Sequence, residues 1–347
     1  MNPRPLKAPL SKGMLPAVAL LVALLVAIAF AVLVGGEVAY TPAQAFDVLW
    51  HQRDSSEWNI LAELRLPRTL CAALVGAALA LSGVLMQGLF RNALASPGIL
   101  GATSGGTFAA VVAISIGLSA RSIWWIPAAS FLGSTFAIVV VYLLAGRGPR
   151  LSTIHLILGG VAVNTLFSAG ASLVLTLTVH KDEITRQIVR WLTGGLQSVG
   201  WSEVAFLLPC VGISLLGSVF VARDLNLVLL GEESAYSLGV RLARLKRRTI
   251  VLAALATGAA VSAAGMVGFV GLVAPHIVRF LLGPDHRRLV LTGTLFGGLL
   301  LVLADLVSVS ILSGRPIQLG IVTSLVGGPF FLFLIVRERQ RGEGGSG

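Results

Sequence analysis

The sequence predicts an all-α polytopic membrane protein of about ten transmembrane helices, and three observations predict it. Of the 347 residues, 56% are hydrophobic and only 12% charged, with a mean hydropathy of +0.90. A soluble domain carries about 25% charged residues, so this chain cannot cover its surface with polar groups in water. Apolar runs long enough to cross a bilayer, roughly 20 residues each, recur along the whole chain. Glycine is abundant, at 40 residues. In lipid, where little hydrophobic force drives helices together, small residues let backbones approach closely.

The candidate spans, in order, cover 14–34, 66–90, 99–119, 124–146, 152–179, 202–222, 249–270, 272–282, 289–313 and 319–336. The first lacks an A-x-A cleavage site and is long enough to span, so it reads as a membrane helix rather than a signal peptide. The eighth is the shortest and is flanked by glycines. No segment reads as a soluble domain, which predicts a single transmembrane domain over 1–347. GAALALSG at 76–83 and GAAVSAAG at 258–265 share the pattern G-A-A-x-x-x-x-G, a hint of two related halves.

Ten spans place both termini on one side. With the termini in the cytoplasm, 18 of the 26 Lys and Arg lie on cytoplasmic segments and 8 outside, the bias expected of a membrane protein. The net charge of +11 follows from that bias. Basic and aromatic residues are not interleaved as a nucleic-acid site would require, so nucleic acid is not an expected partner. Cys71 and Cys210 sit in apolar runs and read as small core residues.

Helix breaks lie at 91–101 (RNALASPGILG), 268–288 (GFVGLVAPHIVRFLLGPDHRR) and 313–320 (SGRPIQLG). Ser96 is suited to cap the following helix, with Pro97 at its first position. Such breaks are either ordinary loops or helix ends that shape a pathway, since irregular backbone at membrane depth must be buried in protein or line a cavity. From them, and from the helix end just before the first, we take Gln87, Asn92, Ser96, Pro97, Gly98, Pro275 and His276 as candidate pathway residues.

Catalytic and metal-binding patterns are missing. The five histidines form no H-E-x-x-H or Cys/His zinc spacing, and His276 and His286 read as local hydrogen-bonding residues. Asp305 is the one acid well inside a span; it either carries an ion or pairs with a polar group on a neighbouring helix. No Gly-Lys pair exists, so the chain has no P-loop. If ATP energises this protein, another polypeptide must bind it and must find a docking surface here.

GEESAYSLGV at 231–240 suits such a surface. Glu232 and Glu233 fall in a first helical turn, where acids complement the helix dipole. Ala235, Tyr236 and Leu238 offer a small apolar patch, and Gly239 is placed to end the helix. On these residues alone, a helix lying passively on the membrane, with RLARLKRR at 241–248 touching anionic lipid, fits as well.

GEESAYSLGV resembles the cytoplasmic coupling helix of the FecCD-type ABC importer permeases for ferric siderophores, haem and vitamin B12. RLPRTL at 65–70, GAALALSGVLMQGLFRNALASPGILG at 76–101, WLTGG at 191–195, the 268–288 segment and GIVTSLVGGPFF at 320–331 resemble that family's signatures in order. The resemblance runs from about 60 to 336. It implies ten helices per subunit, a homodimer or a pair with a paralogous permease, and a periplasmic binding protein that delivers cargo. It also implies two cytoplasmic ABC ATPases that use ATP and Mg, while this chain binds no cofactor or metal. It places the coupling contact at Gly231, Glu232, Glu233, Ala235, Leu238 and Gly239, within a segment of about 223–248. Arg65 and Arg68 match the family's binding-protein contacts, and we add Arg315 as an extra docking contact. The chain departs from the family where Ala93 replaces the usual proline, and where Pro316-Ile317-Gln318-Leu319-Gly320 replaces E-x-P-x-G. The cargo expected first is an iron chelate, then haem, then cobalamin. An ion-coupled carrier using Asp305 and a nontransporting scaffold are the rival readings.

Overall fold

The computed structural model describes residues 11–36, 38–53, 55–146, 153–310 and 317–343, with side chains described only over 14–333 within those ranges. Among the described residues the fold is helical throughout, with no strand. Ten helices correspond to the ten expected spans: α1 (Ser11–Val34), α4 (Leu66–Phe90), α5 (Ala102–Ser115), α6 (Trp125–Leu144), α7 (Thr153–Thr178), α9 (Trp201–Val228), α11 (Leu242–Ala264), α12 (Val270–Leu282), α13 (His286–Ser310) and α14 (Leu319–Glu343). Four shorter helices join them: α2 (Pro42–His51), α3 (Ser56–Trp58), α8 (Asp182–Thr193) and α10 (Glu232–Ser237).

α4 is the central post. It is buried on all sides, packing against α13, α11, α9 and α12, as a helix apolar all round must be. Its glycines explain the fit: a side chain at Gly76 would strike the Gly297 carbonyl on α13, and one at Gly83 would strike the Gly271 carbonyl on α12. Backbone-to-backbone contact of this kind is how membrane helices gain packing energy. Thr257 on α11 donates to Ser82 Oγ (2.8 Å), and Ser82 donates to the Ala253 carbonyl (3.2 Å), pinning α11 to the same post. The outer helices keep broad apolar faces, with Leu177 and Phe220 more than 70% exposed. Those faces need lipid or another apolar partner.

The boundaries differ from expectation in instructive places. α11 was expected over 249–270; it begins at Leu242 and ends at Ala264, where Gly265 turns at φ +65°. Its first two turns hold most of the basic cluster: Arg244, Arg247 and Arg248 leave the unbroken helix for water or headgroups, and Lys246 is buried in an ion pair with Glu232. Ser96 makes no capping hydrogen bond; it precedes a short 3₁₀ turn, Pro97–Leu100, and α5 starts only after Gly101 at φ +79°. α2 and α8 were not expected. Both are too short and polar to span, yet α8 buries Ile188 against Val111, Ile114 and Ala171 on one apolar stripe.

Candidate functional site

Three regions hold most of the residues singled out above. The first is α10. Gly231 enters it at φ +113°, and Gly239 leaves it at φ +85°, both in conformations that favour glycine. The Val240 N–H closes on the Ala235 carbonyl (3.0 Å) and that of Gly239 on Tyr236 (2.9 Å), the hydrogen-bond pattern of a helix stop. The expected apolar patch is split. Ala235 is fully buried in an apolar cluster with Leu225, Val228, Val240 and Leu245, so it is a peg into the bundle and not part of an outer face. Tyr236 and Leu238 stand 73% and 60% exposed. The acids are split too. Glu232 turns back onto Lys246 of α11 (2.9 Å), whose side chain is buried, whereas Glu233 faces outward. α10 is therefore anchored by Ala235 and Glu232 and presents Glu233, Tyr236 and Leu238.

The second region is a cavity of about 440 Å³ between two of the helix breaks. Ser96, Pro97 and Gly98 line it from the first break, and Met266, Val267, Gly268 and Phe269 from the connection between α11 and α12. Thr103, Ser104 and Thr107 face it from α5, and Asn164, Ser168 and Ser172 from α7. Those residues of α7 recur every four positions, the spacing of one helix face. Asn164 fixes the break: its Nδ2 donates to the Gly98 carbonyl (2.9 Å), and its Oδ1 accepts from Ser104 (2.6 Å). Phe269 is a bulky residue at φ +64°, a strained conformation of the sort that collects at functional sites. Among the described residues the lining is mainly apolar, with Leu79, Leu192, Met266, Phe269 and Leu272, and it carries hydroxyl, amide and backbone groups but no ionisable side chain.

The remaining pathway candidates lie elsewhere. Gln87 is buried and bridges α4 to α12, donating to the Leu272 carbonyl (3.3 Å) and accepting from Arg279 (3.3 Å). Asn92 accepts the Leu94 N–H in an exposed turn (2.9 Å). Pro275 packs against Gly83 of α4, and His276 meets Phe330 edge-on. The breaks marked this cavity in the sequence, but the polar stripe on α7 was missed. A four-residue repeat of Asn and Ser inside an apolar helix was its signal.

The third region surrounds Arg65 and Arg68. Arg68 forms a two-pronged ion pair with Asp305 of α13, Nη2 to Oδ1 at 2.8 Å and Nε to Oδ2 at 3.0 Å. Asp305 thus pairs with a polar group on a neighbouring helix, one of its two expected roles. Arg65 donates to the carbonyls of Val32, Leu33 and Val38 (2.6–3.3 Å) and lies over the Tyr40 ring. Both arginines are thus engaged inside the chain. Arg315 lies outside the described residues.

The model of the FecCD transport family matches residues 21–337. The chain is 42% identical over 281 residues to the cobalamin import system permease protein BtuC of Halobacterium salinarum, covering 81% of this chain and 74% of that one. It is 37% identical over 308 residues to the hemin transport system permease protein HmuU of Yersinia pestis, covering 86% and 90%. It is also similar, at TM-score 0.80 and 31% identity over 92% of this chain and 98% of the other, to an inward-facing structure described as a metal-chelate type ABC transporter. The helices, their order and these matches agree: the chain belongs to the FecCD transport family and is a membrane-spanning permease of an ABC importer.

Proposed function

We propose that this permease moves an iron chelate inward across the cytoplasmic membrane, driven by a separate ABC ATPase that docks on α10. The observation that carries the reading is the division of α10 into an anchored side and a presented side. A helix held by Ala235 and the Glu232–Lys246 pair can transmit a push, which a loosely tethered one cannot. Its free side offers one acid and two large apolar side chains, the mix found at protein interfaces with an apolar centre and a charged rim. ATP and Mg belong to that partner, and this chain is a transport subunit rather than an enzyme. The whole chain acts as one domain, with both termini in the cytoplasm as the Lys and Arg distribution favours.

The passage would include the cavity between the breaks, completed by a second permease copy, identical or paralogous. Neutral hydroxyl and amide groups hold a polar cargo weakly enough to release it. ATP binding and hydrolysis shift the permease between outward- and inward-open states, since only differential interactions move such an equilibrium. A periplasmic binding protein would deliver the cargo at the rim near Arg65 and Arg68. Asp305 offsets the charge of Arg68, whereas Arg65, held by neutral carbonyls, braces the rim and keeps its charge there.

Haem falls within the first reading. Cobalamin is the second, favoured by the 42% identity to a cobalamin import permease. Whole-cell uptake in a deletion strain, with and without this gene, separates them. Rescue of a radiolabelled ferric siderophore, ferric citrate or haem supports the iron reading. Rescue of cobalamin alone replaces the cargo and keeps the machine. Uptake that survives ATP depletion and collapses with an uncoupler overturns the ATP-driven reading.

A further inference from the structure

A polar cluster lies at the end of the bundle that carries α10. Asn226 sits in the last turn of α9, and only Leu227–Leu230 separate it from Gly231 and α10. Its Nδ2 donates to Asp285 Oδ1 at 2.6 Å. Its Oδ1 accepts the His286 backbone N–H at 2.8 Å and lies 2.9 Å from His286 Nδ1. Since Oδ1 can only accept, Nδ1 carries the proton. One side chain thus makes three hydrogen bonds to the tight turn between α12 and α13. The imidazole is fully buried, and its other edge abuts Gly88 of α4, where any side chain would collide with Nε2. Gln87 and Arg279 tie α4 to α12 one turn away.

α12 leads from this joint straight to the cavity. It spans 13 residues, about 20 Å at 1.5 Å per residue. Its C-terminal end enters the Gly283–Asp285 turn, and its N-terminal end is Val270, next to the strained Phe269 that lines the cavity.

We infer that Asn226, Asp285 and His286 form the joint that passes movement of α10, through α9, into α12 and the cavity wall. This rests on α10 being the ATPase contact. The three are positioning residues: they touch neither cargo nor nucleotide. A joint of this kind makes a separable prediction. Breaking it leaves the ATPase bound and active but stops the cavity from responding.

The test uses the permease with its ATPase partner in proteoliposomes. The probe is a membrane-impermeant maleimide on Ser172→Cys, an exposed position on the cavity wall. In the parent, ATP with vanadate should change the labelling rate by about 5-fold or more, the mark of a shifted population. Asn226→Leu should keep ATPase co-purification and hydrolysis within about 2-fold while that change is lost. Asn226→Asp sets two carboxylates together and should behave the same way. Adding Asp285→Asn reverses donor and acceptor and should restore the response. Should Asn226→Leu fail to assemble, the exchanged pair decides alone. A normal labelling response in Asn226→Leu or Asn226→Asp overturns the joint, and so does a loss of hydrolysis and response in proportion. Glu233→Lys serves as the parallel control: if it retains the ATPase, the α10 contact itself falls and the joint falls with it.

Discussion

The two ends of the molecule treat like charges differently. At one end Arg65 and Arg68, three residues apart, both look available in the sequence, and both are engaged inside the chain. At the other, Glu232 and Glu233 are adjacent and only one is engaged. Helix phase accounts for both outcomes. Residues three apart share a helix face, so one neighbourhood can take up both arginines. Adjacent residues are turned about 100° from each other, so Glu232 reaches Lys246 while Glu233 points away. A charged pair in a sequence is therefore a docking signal only after its neighbours have been counted.

The sharpest way to break this comparison is at the Arg68–Asp305 pair. Asp305→Ala leaves a largely buried guanidinium without its partner, and we expect a loss of about 3–5 kcal/mol, read as a lower thermal midpoint in detergent. Arg68→Met with Asp305→Leu should recover most of it. Full transport activity and stability in Asp305→Ala would return Arg68 to the free rim. Next, Glu233→Lys with Tyr236→Ala removes two presented groups and should weaken ATPase binding about 100-fold, the scale of an interface hot spot. Glu232→Gln weakens only the anchor and should weaken binding by less than about 5-fold, because the amide oxygen can still accept from Lys246 and the presented groups are untouched. Exchange of Glu232 and Lys246 should regain that loss. The smallest effect is expected at Arg65→Gln: its guanidinium is held inward by carbonyls, so the rate of binding-protein association should change less than about 3-fold, with a shallow change in salt dependence. A steep change in salt dependence would restore Arg65 as a steering charge.

Most of the helical scaffold was legible because lipid imposes a length on apolar runs, and α4, α7 and α13 followed it within a few residues. α11 was misplaced because hydropathy discounts the basic turns that backbone geometry continues through. α8 was hidden because its apolar stripe, Ile184, Ile188, Trp191 and Leu192, repeats at helical spacing without forming a run. The site was legible in part. The glycines bounding 231–239 were visible as helix ends, and Pro97 and Gly98 as a break. The inward turn of Ala235 and Glu232 depends on how α10 folds back between α9 and α11, and the Gln87 bridge and the Asn226 joint depend on residues distant in sequence. No local pattern carries them.

The most direct test of the central claim is contact at α10. A photocrosslinking amino acid at position 236, where Tyr236 is exposed, should capture the ABC ATPase subunit in cells that make the whole importer. The same probe at position 220, where Phe220 lies on the apolar outer face, should not. An ATPase adduct at 236 alone is the predicted result. No ATPase adduct at 236, in cells where the assembled importer is transporting, would contradict the assignment of α10 as the point where ATP energy enters this protein.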